Sequence, residues 1–188
     1  MVNAFNLIDG VDGLAGGVGL TASLAFGVWF LLAGDAVMSS LAFALAGSLL
    51  AFLIFNFSPA KLFMGDSGSL SIGMILCVLS LKLIEYDKLD DVNIVGQISK
   101  PVFAMAVLVY PLFDTLRIFI YRALKGLSPF SADRNHIHHR LIDIGLTHRQ
   151  TVLCIYSVNI LIIALAVFTR NLSPNYSFLA VGGTAVIV

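Results

Sequence analysis

Apolar residues run through this chain in blocks long enough to cross a bilayer, and short, dense polar clusters interrupt them. The blocks are Leu14–Leu32, Leu41–Phe57, Leu70–Ile84, Val102–Tyr121 and Val152–Phe168, followed by a last run that starts at Phe178. A spanning helix takes about 20 predominantly apolar residues. The pattern therefore predicts an all-α, polytopic transmembrane helical bundle with five complete spans and a truncated sixth. The third block is short and borrows residues from Ser67 onward. Gly47 and Gly73 suit close helix packing in lipid, and Pro111 predicts a kink in the fourth span. No unit of about 20–50 residues recurs, so residues 1–188 read as a single transmembrane domain.

Alternating the connections across a bilayer places residues 1–13, 58–68 and 122–149 on one side. Residues 33–40, 85–100 and 170–177 then lie on the other. The first side carries the basic residues Arg117, Arg122, Lys125, Arg134, Arg140 and Arg149 in or next to one loop. The opposite loop holds Asp87, Lys88, Asp90 and Asp91. By the positive-inside bias the basic side is cytoplasmic. All three polar clusters, NAFNLIDGVDG (3–13), NFSPAKLFMGDSG (56–68) and DRNHIHH (133–139), fall on it.

Composition agrees with a membrane protein. Of the 188 residues 59% are hydrophobic and only 12% charged, where soluble domains are roughly a quarter charged. Mean hydropathy is +0.95. A formal net charge of zero argues against a nucleic-acid binder relying on bulk positive charge. Cys77 and Cys154 sit in apolar runs and predict neither a disulfide nor a thiolate metal site. No secretory signal precedes the first apolar block. Met1 and Val2 lead straight into the first polar cluster and the last apolar run stops short, so the chain reads as a piece of a longer protein lacking its N-terminal spans.

Polar groups beside a membrane are costly, and their presence points to function. Asn3, Asn6, Asp9 and Asp12 recur every three residues, a drifting stripe if helical. Such oxygen donors suit a hard cation like Mg²⁺, held by one or two protein groups with substrate phosphates completing its shell. Helix capping or a calcium loop are the alternatives, and the calcium loop lacks its bidentate Glu. In the second cluster glycines flank Asp66 just ahead of a helix whose N-terminus can receive phosphate; a carboxylate there calls for a bridging metal, or else caps the helix. In the third, His136 and His139 share a face if the segment is helical. Zinc is the rival, but the expected ligand spacing is missing. Histidines beside Arg134 suit anionic oxygens and can carry charge near neutral pH. Asp114 and Arg117, i and i+3 in the fourth span, read as a structural intramembrane pair.

With these motifs together, the chain resembles the polyprenyl-phosphate N-acetylhexosamine-1-phosphate transferases, a family that includes the phospho-MurNAc-pentapeptide translocase. The resemblance runs from Asn3 to about Thr151, on NAFNLIDGVDGLAGG, PAKLFMGDSGSL and SPFSADRNHIHHRL. The HIHH form looks more like the surface-polysaccharide enzymes than the translocase. The resemblance implies an Mg²⁺-dependent phosphoglycosyl transferase (Mn²⁺ is the alternative ion) in the bacterial inner membrane, its active site cytoplasmic. Undecaprenyl phosphate would attack the β-phosphorus of a UDP-N-acetylhexosamine such as UDP-N-acetylglucosamine, releasing UMP and starting a surface polysaccharide or wall polymer. It further implies Asp66 and Asn6 as metal ligands, and Asp66, Asp9, Asp12, His136, His138 and His139 as catalytic. Asn3, Asn56, Phe63 and Arg134 would bind substrate, with Phe63 stacking on uracil. Many relatives dimerise, so the resemblance leaves the oligomeric state open between a monomer and a homodimer. The family's upstream aspartate pair has no counterpart before Asn3, so this chain alone is expected to be inactive. A transporter, or an intramembrane aspartyl protease using Asp66 and Asp114, are the rival readings.

Overall fold

A computed structural model describes residues 1–88, 95–126 and 136–187. The described residues form helices and connections and contain no strand. The helices are α1 (Val2–Leu7), α2 (Leu14–Leu32), α3 (Ala36–Asn56), α4 (Gly65–Ile84), α5 (Lys100–Val107), α6 (Val109–Leu124), α7 (Ile137–Asp143), α8 (His148–Phe168) and α9 (Pro174–Ile187). Among them α2, α3, α4 and α8 are each long and apolar enough to cross a membrane. A helix apolar on every side belongs in lipid or in a large core, and here both apply. The apolar window of α2 is 67% buried within the protein, whereas those of α3, α4 and α8 are 28%, 39% and 33% buried. So α2 is the central post, and its neighbours turn one side to the bilayer. The chain is an all-α, multi-pass membrane protein.

The fourth predicted span is broken rather than kinked. α5 and α6 meet at 76°, and the break falls at Leu108, three residues before Pro111. Proline has no N–H for the carbonyl of Val107 and its ring would crowd that oxygen, so the first helix stops there. With eight residues, α5 is only about 12 Å long and cannot cross alone. The pair still carries the chain from end to end. Lys100 donates to the Tyr86 carbonyl beside the α2–α3 turn, while α6 leads to residues packed at the polar end.

Local sequence explains the other boundaries. Gly34 adopts φ 82° after α2, a backbone region where glycine carries no Cβ penalty. Asp35 then caps α3 by accepting from the Met38 N–H at 3.0 Å. α8 begins at His148, ahead of the predicted Val152, because Thr147 and Gln150 form a capping box. Pro174 opens α9. At the end opposite the polar clusters, the Tyr86 hydroxyl donates to the Ala33 carbonyl at 2.8 Å and its ring meets Trp29 edge-on.

The packing glycines divide. A Cβ on Gly73 would lie 3.0 Å from Val2 and Phe5, so this glycine lets α1 lie against α4. Gly47 faces open space, and its expected packing role is not realised. Gly17 and Gly27, by contrast, give room to Tyr156 and Phe43.

Candidate active site

The connections ahead of α2, between α3 and α4, and ahead of α8 converge at one end of the bundle, as the alternation of spans predicts. α1 ends at Leu7, so the asparagine–aspartate series is not one helical stripe. Asn3 is exposed on α1, away from the cleft described below, and Asn6 occupies its last turn. Asp9 and Asp12 lie in the turn that follows the Ile8 C-cap. Gly13 takes φ 84°, and a Cβ there would also meet Phe57 at 3.1 Å.

Two side chains tie this turn to the second cluster. The Asn56 carboxamide accepts from the Gly13 N–H at 2.9 Å and donates to the Leu62 carbonyl at 2.8 Å. Asp12 accepts from the Ala60 N–H at 3.0 Å. Asn56 and Asp12 thereby shape the loop that delivers Phe63. Residues from the N-terminal turns of α8 add to it. Arg149 Nε donates to the Ser58 carbonyl at 2.8 Å, and the Tyr156 hydroxyl donates to the Gly13 carbonyl.

Asp66 does not cap a helix. α4 starts five residues ahead of the predicted Leu70, its N-cap is Met64, and Asp66 lies within the first turn. A carboxylate there is favoured by the helix dipole. Its Oδ1 accepts from Asn6 Nδ2 at 3.1 Å, and the same Nδ2 donates to Ser69 Oγ at 2.8 Å. With Nδ2 so committed, Asn6 Oδ1 is the atom left for a cation. Asp9, Asp12, Asn56, Phe63 and Asp66 line a cleft of about 310 Å³. Phe63 stands at its edge, 74% exposed.

The electrostatics of the cleft are unfavourable when it is empty of cations. Burial, and then the nearby charge of Asp66, push the Asp9 carboxyl up to about 6. No group of three or more His, Cys, Asp or Glu able to hold a metal occurs among the described residues. Two carboxylates with a carboxamide oxygen do match the small donor set Mg²⁺ takes from protein when phosphates supply the rest.

The histidines arrive from the other side. His136 is the N-cap of α7 with extended backbone (φ −58°, ψ 150°), so it pairs with His138 rather than with His139 as a helical segment would have it. Their rings stack at 5.4 Å and 8°. His138 is fully buried and its Nε2 abuts Gly10, where a Cβ would come within 2.9 Å. The third cluster thus touches the first. Its Nδ1 lies 3.3 Å from the Tyr110 hydroxyl. Burial foremost, then the charge of His139, drives His138 down to about 4. It is neutral at physiological pH, against the expectation of a charged loop histidine. His139, half-buried, tilts against it at 4.4 Å. Arg134 lies outside the described residues, as do Asp90, Asp91 and Asp133.

Asp114 is the residue whose role the sequence hid. It does pair with Arg117, at 3.3 Å, but its shorter bonds go to the histidine segment: His136 Nδ1 at 2.6 Å and the Ile137 N–H at 2.9 Å. So engaged, it is not poised to share a water with Asp66 as an aspartyl protease requires. Nothing in the spacing of residues 114 and 136 signals their meeting.

Fold and site together define an all-α, multi-pass membrane protein with an acidic, carboxamide-lined cleft beside a histidine helix. Residues 1–84 match the model for Glycosyl transferase family 4, and the chain belongs to that family. It is 40% identical over 167 residues to the decaprenyl-phosphate N-acetylglucosaminephosphotransferase of Mycolicibacterium smegmatis, covering 83% of this chain and 41% of the relative. It is 39% identical over 171 residues to a probable undecaprenyl-phosphate N-acetylglucosaminyl 1-phosphate transferase of Bacillus subtilis, covering 91% and 46%. Against the undecaprenyl-phosphate alpha-N-acetylglucosaminyl 1-phosphate transferase of Escherichia coli K12 it is 34% identical over 158 residues, covering 82% and 41%. The chain spans less than half the length of these curated relatives.

Proposed function

We propose that this chain builds much of the catalytic centre of a phosphoglycosyl transferase in the bacterial inner membrane, with its cleft on the cytoplasmic face. The complete protein transfers N-acetylhexosamine-1-phosphate from a UDP-sugar to undecaprenyl phosphate. A phosphate oxygen of the acceptor bonds to the β-phosphorus, the bond from that phosphorus to the bridging oxygen breaks, and UMP leaves with that oxygen. The product starts a surface polysaccharide or wall polymer.

The observation that carries this reading is the single cleft joining Asp9, Asp66 and the exposed ring of Phe63. A large aromatic left 74% exposed next to carboxylates needs a flat partner, and a uracil ring meets that need. Asp66, Asn6 and Asp9 would hold Mg²⁺, which neutralises charge on the reacting diphosphate when bound. Asp12 and Asn56 brace the loop that carries Phe63. His138, neutral and wedged against Gly10, sets how close the histidine helix stands, while His136 and His139 face the diphosphate. The relatives' printed names support polyprenyl phosphate as acceptor and N-acetylglucosamine as the sugar.

The test is UMP release from UDP-N-acetylglucosamine and undecaprenyl phosphate by the complete protein in detergent. Release that requires Mg²⁺, and that falls at least about 100-fold in Asp66→Asn, is the expected result. Neither release nor binding with any UDP-sugar tried would overturn the reading.

A further inference from the structure

Asp114 sits in α6, in the arm of the broken span beyond the 76° bend. It is entirely buried, and the bonds on its two carboxylate oxygens are the unusual part. Oδ2 takes the His136 Nδ1 at 2.6 Å; Oδ1 takes the Ile137 N–H at 2.9 Å and Arg117 Nη2 at 3.3 Å. The first fixes a side chain. The second fixes the backbone one residue further on, at the start of α7. Together they clamp both the position and the rotation of one imidazole. The clamp also sets which nitrogen carries the proton, because a carboxylate accepts and so requires Nδ1–H. Nε2 is thereby left as the ring atom available for chemistry. Stacking on His138, itself pressed against Gly10 of the cleft turn, aligns that ring with the site.

We propose that Asp114 is a positioning residue that acts through His136, holding the imidazole in its Nδ1–H form so that Nε2 serves the reacting diphosphate. A purely structural pair with Arg117 would leave the 2.6 Å bond to His136 without a purpose. A group behind a histidine that orients it and fixes its tautomer is a recurring device in metal and acyl-transfer sites; here it lies on a bent membrane helix. The kinetic consequence rests on the transferase reading above, whereas the tautomer itself does not.

Asp114→Asn, His136→Ala and the double variant would be compared in the complete protein. The asparagine carboxamide can still accept from Ile137, so α7 keeps its anchor, but the carboxylate that demanded Nδ1–H is gone. Asp114→Asn is expected to lower kcat on the order of 10- to 100-fold, the range typical when the group behind a histidine is removed. KM for the UDP-sugar should stay within about 3-fold. The double variant should be no slower than His136→Ala, because the two residues act as one unit. Additive losses would overturn the proposal and leave Asp114 a structural residue. Imidazole-nitrogen NMR of the wild-type complete protein, assigned by the signal lost in His136→Ala, reads the same proposal without activity or the Asp114 variant. A proton on Nδ1 is expected, and a neutral His136 protonated only on Nε2 overturns it. An inactive wild type with a protonated Nδ1 would instead sink the transferase reading and keep the clamp.

Discussion

At pH 7 the carboxylate of Asp9 lies near that of Asp66 in a half-buried cleft, and the cost appears in its titration. Its folded-state value of about 6 stands above the ordinary 3.8. The native protein therefore holds this proton more tightly than the unfolded chain does. The stability so contributed is fully present below 3.8 and is lost as pH rises through 6. Asp9→Asn removes the penalty. In Mg²⁺-free detergent at pH 7.5 the variant should melt higher than wild type by roughly 1–3 °C, a modest figure because the site is half open to water. At pH 4 the two should coincide. Mg²⁺ affinity should move the other way, weakening in wild type between pH 7 and pH 5 as Asp9 protonates, and weaker throughout in the variant. Isothermal titration across that range checks it.

Among the helices, small residues that look alike in sequence do different work. Gly17 on α2 lies against the phenol of Tyr156 on α8, and any Cβ there would fall inside that ring. Gly17→Ala should therefore destabilise by about 1–3 kcal/mol, lowering the thermal midpoint, and Tyr156→Leu in the same chain should recover part of the loss. Gly47→Ala, facing open space, should be neutral in the same melt. The sequence could not separate these two glycines, because apolar runs without a period on any face carry no record of which side meets protein. It marks Asp9, Asp66 and the histidines as candidates readily, since carboxylates and imidazoles in an apolar chain are conspicuous through their cost alone. Asp114 is equally conspicuous, but the sequence offers only its neighbour Arg117 as a partner. Its bonds to His136 and Ile137 depend on the break at Leu108, and Pro111 announced a disturbance in that helix without its angle or its place.

At the scale of the whole molecule, the alternation of apolar blocks was enough to put the three polar clusters at one end, because sidedness needs only a count of crossings. How they fit together was beyond reach. The stripe of residues 3–12 is a short helix and a turn, and His138 on α7 meets Gly10 while His136 stacks on it from the extended cap rather than from a shared helical face. The Tyr156–Gly13 hydrogen bond, which joins residues 143 positions apart, also has a meaning in time. A ribosome finishes the cleft turn long before it makes the helix that latches it. Until α8 has entered the bilayer, the Gly13 carbonyl lacks its hydroxyl and the Ser58 carbonyl lacks the Arg149 guanidinium. From the making of Gly13 to that of Tyr156 the nascent protein therefore carries an unlatched pocket, and α8 commits it. A chain stopped after Leu146 should insert α2 to α4 yet expose residues 8–13 and 57–64 to limited proteolysis that the chain ending at Val188 resists.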